Sequence, residues 1–494
     1  MMKMKYLIYL IVFSLILLFT KCGLQKKVNN SKAIVELTLV REKIHTNHPN
    51  PNYFSERHYT DSVYNEVYKI ILSKNRISKH ELFKELSKYT SSFNDGHMRT
   101  KLSTFHLVLM LISGKALPFE VVIKDNKIII DYDYTNNKKN KEGNQIHSIN
   151  GIPSEEILND LKSKIPLNNP NSKNIFLSHS FPYKYWKIGN ETSPFSIEFI
   201  NKHNDTIIQL FKGLRFSKYV RSDTKRKLKG FKKTFKMGSG NFILSRYYIE
   251  NEKLLPLPKY YCYLKDTVAY LRIKGFTGKS EQKEFYKKCF ATIHELNTNI
   301  LIIDIRRNIG GRMTNFEDLF SYLSNDTIYQ ANKVNFKLND VTLKMALEAN
   351  EKGDTLLYNK IKPYSIGDVL PLLEKDEMII YKPDNPFLFL GKIVVIIDAG
   401  TFSAGSGFAK MVQSNNIGLV IGEETGGMTN AFADPIIVKL SVSKCYLTIP
   451  TKQIFQSDST TISGVKPDKH IVFDNDFMQD PDSFINEIDR KLNN

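Results

Sequence analysis

Cysteine and tryptophan are scarce in this sequence, and acidic residues are outnumbered by basic ones. Four cysteines in 494 residues are too few and too scattered for a disulfide-stapled scaffold or a zinc-ligand pattern. One of them, Cys22, sits at the end of an N-terminal apolar run. The other three, Cys262, Cys289 and Cys445, cannot all pair, and buried free thiols or at most one disulfide are expected. Beyond the first twenty residues no apolar run reaches the ~20 residues a spanning helix needs. Lys and Arg number 70 against 51 Asp and Glu, a formal net charge of +19. Such an excess could serve a nucleic-acid or anionic-membrane partner. No nucleic-acid motif accompanies the densest basic stretch, Lys218 to Lys236, so that stretch is read as a solvated connector and no nucleic-acid partner is expected.

What is present is a globular chain with an export signal. Hydrophobic residues make up 41% and aromatics 12%, and the length allows two or three domains. Lys3 and Lys5 precede an apolar run from Tyr6 to Thr20, which is a signal-peptide pattern. Leu18-Phe19-Thr20-Lys21-Cys22 resembles a bacterial lipoprotein box, in which Cys22 would be lipidated. Lys21 stands where a small residue is usual, so an uncleaved anchor stays open. Either way the body is exported. Residues 1–22 are thus expected to tether a protein of the bacterial cell envelope to a membrane, facing the periplasm or the cell surface.

The periodicity divides the rest. Residues 29–112 read as a helical domain: Leu37, Val40 and Ile44 share one helical face, as do Leu82, Leu86 and Tyr89. His48-Pro49-Asn50-Pro51 breaks the first helix. Residues 118–216 switch to short strands, with a hairpin expected around Asp125-Asn126. A strand, the Asn150-Gly151 turn and a helix carrying Ile157, Leu158, Leu161 and Ile165 follow, in the order of a PDZ-like module. Residues 217–257 form the basic connector. Residues 258–480 alternate buried-type strands with helices, as in an α/β core. Within them, residues 326 to 390 read as an elaboration.

Three segments carry chemistry. In Ile393 to Met411 a buried strand ends near Asp398 and a helix starts near Ala404, which puts Ser403 at a helix N-terminus. Unpaired N–H groups and the helix dipole favour negative charge there, which suits a nucleophile that generates an oxyanion. Taken alone, the commoner role for such a serine is to cap the helix. The second segment, Asp304 to Gly311, also follows a buried strand and ends in two glycines, which let the backbone approach a substrate closely. The third is Asn94-Asp95-Gly96-His97. A histidine is the natural base for a hydroxyl nucleophile.

In this order, with Ile421 to Gly427 and Gly464-Val465-Lys466-Pro467-Asp468 behind them, the segments resemble the tail-specific (C-terminal processing) serine peptidase family. Its relatives include the tricorn protease core and the domains of interphotoreceptor retinoid-binding protein. The resemblance runs from about residue 33 to 475. It implies a multi-domain α/β fold: an N-terminal helical domain, a PDZ-like β/α module and a C-terminal crotonase-like catalytic core. It also implies Ser403 as nucleophile, an oxyanion hole from Gly310 or Gly311 with the Ala404 amide, polypeptide substrates, and no metal or cofactor. Many members activate the serine with a lysine about 25 residues downstream. Met428 stands at that spacing here, and the tricorn-like branch, which uses a histidine, makes His97 the base.

Two positions depart from the family. Ser406 replaces an acidic residue after the Ser-Ala stretch, and Thr460 to Ser463 occupy the place of an acid before Gly464. Asp458 and Glu423 are the remaining candidates to orient His97. Losing an orienting acid costs orders of magnitude in rate. The alternative is therefore a weak or inactive lipoprotein of the same fold that binds peptides or apolar ligands.

Overall fold

Helices open the described chain because its apolar residues recur every three or four positions. Asn30–Asn47 buries Ala33, Leu37, Val40 and Ile44. It ends where Pro49 forces His48 into extended backbone, φ −80 and ψ 133. Arg57–Leu72 and Lys79–Ser91 follow. The latter starts on a capping box in which Ser78 and Glu81 satisfy each other's backbone amides. The computed structural model describes residues 26–493 apart from 136–140, 190–192, 202, 204, 245–257, 375–378, 381–384, 459 and 474–475. The N-terminal signal region and Cys22 lie outside the described residues.

The chain folds as two compact units. The first comprises the described residues up to 220 together with 336–370 and 432–452. Its main sheet runs in the order Thr206–Phe211, Phe195–Ile200, Gln145–Ile149, Lys127–Asp133, Phe119–Lys124, with Ile152–Pro153 paired to Gln145–Ile149. The expected hairpin is present, its turn made by Asp125 (φ 50) and Asn126 (φ 57). The strand, the Asn150-Gly151 turn and the helix Ser154–Ser163 also occur in the expected order.

The second unit comprises residues 221–335, 371–431 and 453–494. Its seven-stranded sheet runs Asn241–Leu244, Tyr260–Lys265, Val268–Ile273, Ile300–Asp304, Lys392–Ile397, Leu419–Gly422, Lys469–His470. The second strand pairs antiparallel with the first and third, and the remaining neighbours pair in parallel. Alternate residues of the central strands enter different cores. Leu301, Ile303, Val395 and Ile397 pack with Phe285, Phe316 and Phe408, whereas Ile302, Val394 and Ile396 pack with Phe231, Phe484 and Ile488. Both faces are covered by helices, which is why the strands are continuous apolar runs. This is the α/β architecture expected of the peptidase core.

Three boundaries differ from expectation. The helical segment and the strand module share one core, in which Leu37, Phe83, Phe119 and Ile146 belong to the same cluster. Residues 432–452 join that unit as well, because Leu440, Cys445, Leu447 and Ile449 bury in that cluster and Tyr446 to Thr448 pair with Arg99–Lys101. Among its described residues the basic connector is mostly one helix, Phe216–Met237, followed by the strand Asn241–Leu244. Lys and Arg are good helix formers, and Phe216, Tyr219, Phe231 and Thr234, spaced at helical intervals, are all buried. Cys262, Cys289 and Cys445 are buried and unpaired.

Candidate active site

In the second unit two strands stop side by side and their loops lock together. Ile300–Asp304 pairs in parallel with Lys392–Ile397, so the turns that follow them emerge at the same sheet edge. Asp304 ends the first strand fully buried, bound by Arg306 Nη2 at 2.6 Å and Tyr270 Oη at 2.6 Å, with Arg272 Nη1 at 3.3 Å. Burial would raise its pKa, but the two guanidinium groups and their hydrogen bonds hold the carboxyl well below the usual range. The acidic start of this motif is therefore an anchor for the loop.

The loop then turns through Arg307, at φ 55, to Asn308. Asn308 is fully buried; its Nδ2 donates to the Ile273 carbonyl at 3.1 Å and its Oδ1 accepts the Gly310 amide at 2.8 Å. Its carbonyl accepts the Phe402 amide at 2.8 Å. Opposite it, Asp398 Oδ1 accepts the amides of Arg307 at 2.7 Å and Gly400 at 3.0 Å, while Thr401 Oγ1 donates to the Ile305 carbonyl at 3.0 Å. Asn308, Asp398 and Thr401 hold the second loop against the first. In the sequence all three stand inside the motif segments without an assigned role, and their signal is placement, since each is a small polar residue in a loop after a buried strand.

Ser403 sits on that second loop at the N-cap of the helix Ala404–Ser414. Its backbone is at φ 55 and ψ −125, and its side chain makes no capping hydrogen bond. An ordinary N-cap residue has extended backbone and bonds an amide of the first turn. Ser403 does neither, so helix capping does not explain it. A non-glycine residue in this region is strained, and a serine at a sharp strand-to-helix turn presents its hydroxyl outward. Gly310, at φ 93, packs directly behind it, where an added Cβ would lie 2.6 Å from Ser403 Cβ and 2.8 Å from the Ala404 nitrogen. Gly427 closes the other side, where a Cβ would lie 2.7 Å from the Ser403 nitrogen. The amides of Gly426 and Gly427 both donate to the Thr401 carbonyl at 3.0 Å. The Gly310 amide is committed to Asn308, while those of Gly311 and Ala404 have no acceptor among the described residues.

The remaining candidates are placed as follows. Ser406 is buried and donates to the Thr401 carbonyl at 3.1 Å. Glu423 is partly buried, with its amide on the Ile397 carbonyl at 3.1 Å. Asp458 is exposed and accepts from its own turn, at the Thr460 amide 2.9 Å away. Met428 forms a bridge with Gly464. The Gly464 to Asp468 segment is scaffold: Asp468 takes the Val420 amide at 2.8 Å and the Gln413 side chain at 2.7 Å.

His97 belongs to the first unit. Its amide donates to Asp95 Oδ1 at 2.9 Å, its carbonyl accepts from Thr448 Oγ1 at 2.9 Å, and its Nδ1 lies 3.6 Å from Asp95 Oδ1. Asp95 is buried and its other oxygen meets His48 Nε2 at 3.0 Å. Burial would push the Asp95 carboxyl up; the His48 hydrogen bond and the two imidazoles hold it well below the usual range. The sequence held Asp95 and His48 in view only as a turn residue and a helix breaker. An aspartate two residues before a histidine was the available signal, because that spacing suits an Asx turn.

A strained serine beside unspent amides, at the carboxyl edge of a parallel sheet, is the arrangement of an α/β serine hydrolase. Residues 267–471 match the model of Peptidase family S41, which makes that core a tail-specific serine peptidase core. The solved structure described as mature CPAF complexed with lactacystin aligns over 94% of this chain and 98% of its own length, at 14% identity and a TM-score of 0.66. A serine-to-alanine mutant of CPAF aligns over 93% and 96%, at 14% identity and a TM-score of 0.63. At that identity the likeness is one of fold. A comparison with curated protein sequences gives no match.

Proposed function

We propose that this peptidase cleaves unfolded or C-terminal polypeptide segments in the bacterial cell envelope, with Ser403 as nucleophile and His97 as general base. The observation that carries the reading is Ser403 itself, strained at φ 55 and ψ −125 at a helix N-terminus without capping it. In this mechanism His97 takes the Ser403 hydroxyl proton as the oxygen attacks the peptide carbonyl. The Gly311 and Ala404 amides receive the oxyanion, and Gly310 contributes the space. His97 then gives the proton to the leaving amine, and water repeats the cycle on the acyl-enzyme.

The strand, Asn-Gly turn and helix of residues 145–163 support a PDZ-like role in holding the peptide. The Lys3 to Cys22 pattern supports a lipid or an uncleaved anchor as the membrane tether, and no nucleic-acid partner is proposed. Turnover of unfolded casein tests the activity. The wild type should cleave it, whereas Ser403→Ala and His97→Ala should not; binding without cleavage by the wild type would favour the silent-module alternative. Membrane fractionation with radiolabelled palmitate tests the tether. Cys22→Ser should lose the label, and unchanged labelling would refute lipidation there.

A further inference from the structure

We propose that Asp95, held by His48, is the positioning acid of His97, a proposal that rests on His97 being the base. The carboxylate is a fixed object. Oδ1 accepts the His97 amide at 2.9 Å, and Oδ2 meets His48 Nε2 at 3.0 Å. The ring of His48 is itself pinned, because its Nδ1 accepts the Asn50 amide at 3.1 Å. That leaves the Nε2 proton to point at Asp95. His48 is 0% exposed and Asp95 2%. The ring of Phe432 lies 4.3 Å from that of His48, and Tyr53 and Phe54 pack on Phe432.

A buried carboxylate needs partners, and this one has a second histidine within reach. His97 Nδ1 stands 3.6 Å from Oδ1, an ion-pair separation longer than a hydrogen bond. Catalytic hydrogen bonds are commonly long in a ligand-free enzyme and shorten when substrate arrives. With Nδ1–H on Asp95, the Nε2 lone pair faces away and is the atom that takes the serine proton. Asp95 stays ionised and steadies the imidazolium that forms. This assigns the role for which sequence had offered Asp458 and Glu423. The charged groups around Asp95 are His48 from the end of the first helix, His97 on its own turn, and Arg99 on the following strand.

Asp95→Asn is the informative variant, because the amide oxygen can keep the turn to the His97 backbone while the charge is lost. It should lower kcat about 100-fold or more with KM little changed, and move the acidic limb of the kcat/KM profile to lower pH. Asp95→Asn with kcat within about threefold of wild type and an unmoved acidic limb would overturn the proposal, provided Ser403→Ala and His97→Ala are inactive. Activity in either of those two controls would instead overturn the reading beneath it. Should Asp95→Asn not fold, the imidazole 15N spectrum of the wild-type protein decides. His48 protonated on Nε2 alone supports the assignment, and His48 carrying its proton on Nδ1 overturns it.

Discussion

A Cβ on Gly310 would stand 2.6 Å from the Cβ of Ser403. No real side chains approach that closely, and the obstruction is the backbone of the nucleophile turn rather than a flexible tip. Gly310 also sits at φ 93, where an L side chain is strained. Gly310→Ala should therefore displace the turn and lower kcat/KM by at least about 100-fold, the loss a ~1 Å misplacement at a reacting centre can cause. Steady-state kinetics beside a urea midpoint checks this.

The strain at Ser403 makes an unusual stability prediction. Its φ of 55 with ψ −125 costs about 1–3 kcal/mol for a residue with a Cβ. Ser403→Gly should therefore be inactive yet more stable than the wild type, by about 1 kcal/mol after the entropy of a freer unfolded chain is subtracted. Ser403→Ala keeps the Cβ and should show little of that gain. Chemical denaturation of the three proteins measures it.

Asp304 holds the other loop. Asp304→Asn leaves Arg272 and Arg306 facing a neutral amide, and breaking a buried ion pair costs about 3–5 kcal/mol. Because the folded pKa is depressed, the contribution is fully present above the ordinary carboxylate pKa of about 4 and is lost as pH falls below it. The denaturation midpoints of wild type and variant should differ most at neutral pH and draw together as pH falls below about 4.

His80 sets a second pH dependence, in the first unit. Its ring is stacked between Phe83 and Trp186, with Nε2 2.9 Å from the Lys187 carbonyl. Burial lowers its pKa from 6.5 to about 4, against the opposing pull of that carbonyl. The unfolded chain then takes the proton first. Stability from this group is full above pH 6.5 and declines toward pH 4, by up to about 3 kcal/mol. His80→Gln should flatten the profile of urea midpoint between pH 7 and 4.5.

The sequence made some of this legible and hid the rest for physical reasons. Buried parallel strands announce themselves as apolar runs, so Ile300–Asp304 and Lys392–Ile397 were readable, and with them the position of Ser403 at a strand-to-helix turn. The break after Asn47 followed from two prolines. The basic stretch at 216–237 misled because charge suggests a solvated loop, while its buried residues are few and widely spaced along a helix. The return of residues 432–452 to the first core is a long-range pairing that no local pattern encodes. The glycine roles were half visible. Two glycines announce close approach, but that Gly310 spends its amide on Asn308 depends on which way that side chain turns.

The most direct test of the central claim is the site of modification by a serine-directed phosphonate, read by peptide mapping of the intact protein. The account predicts a single adduct on Ser403, slowed strongly in His97→Ala and absent from Ser403→Ala. An adduct on another serine, or labelling of Ser403→Ala undiminished from the wild type, would contradict it.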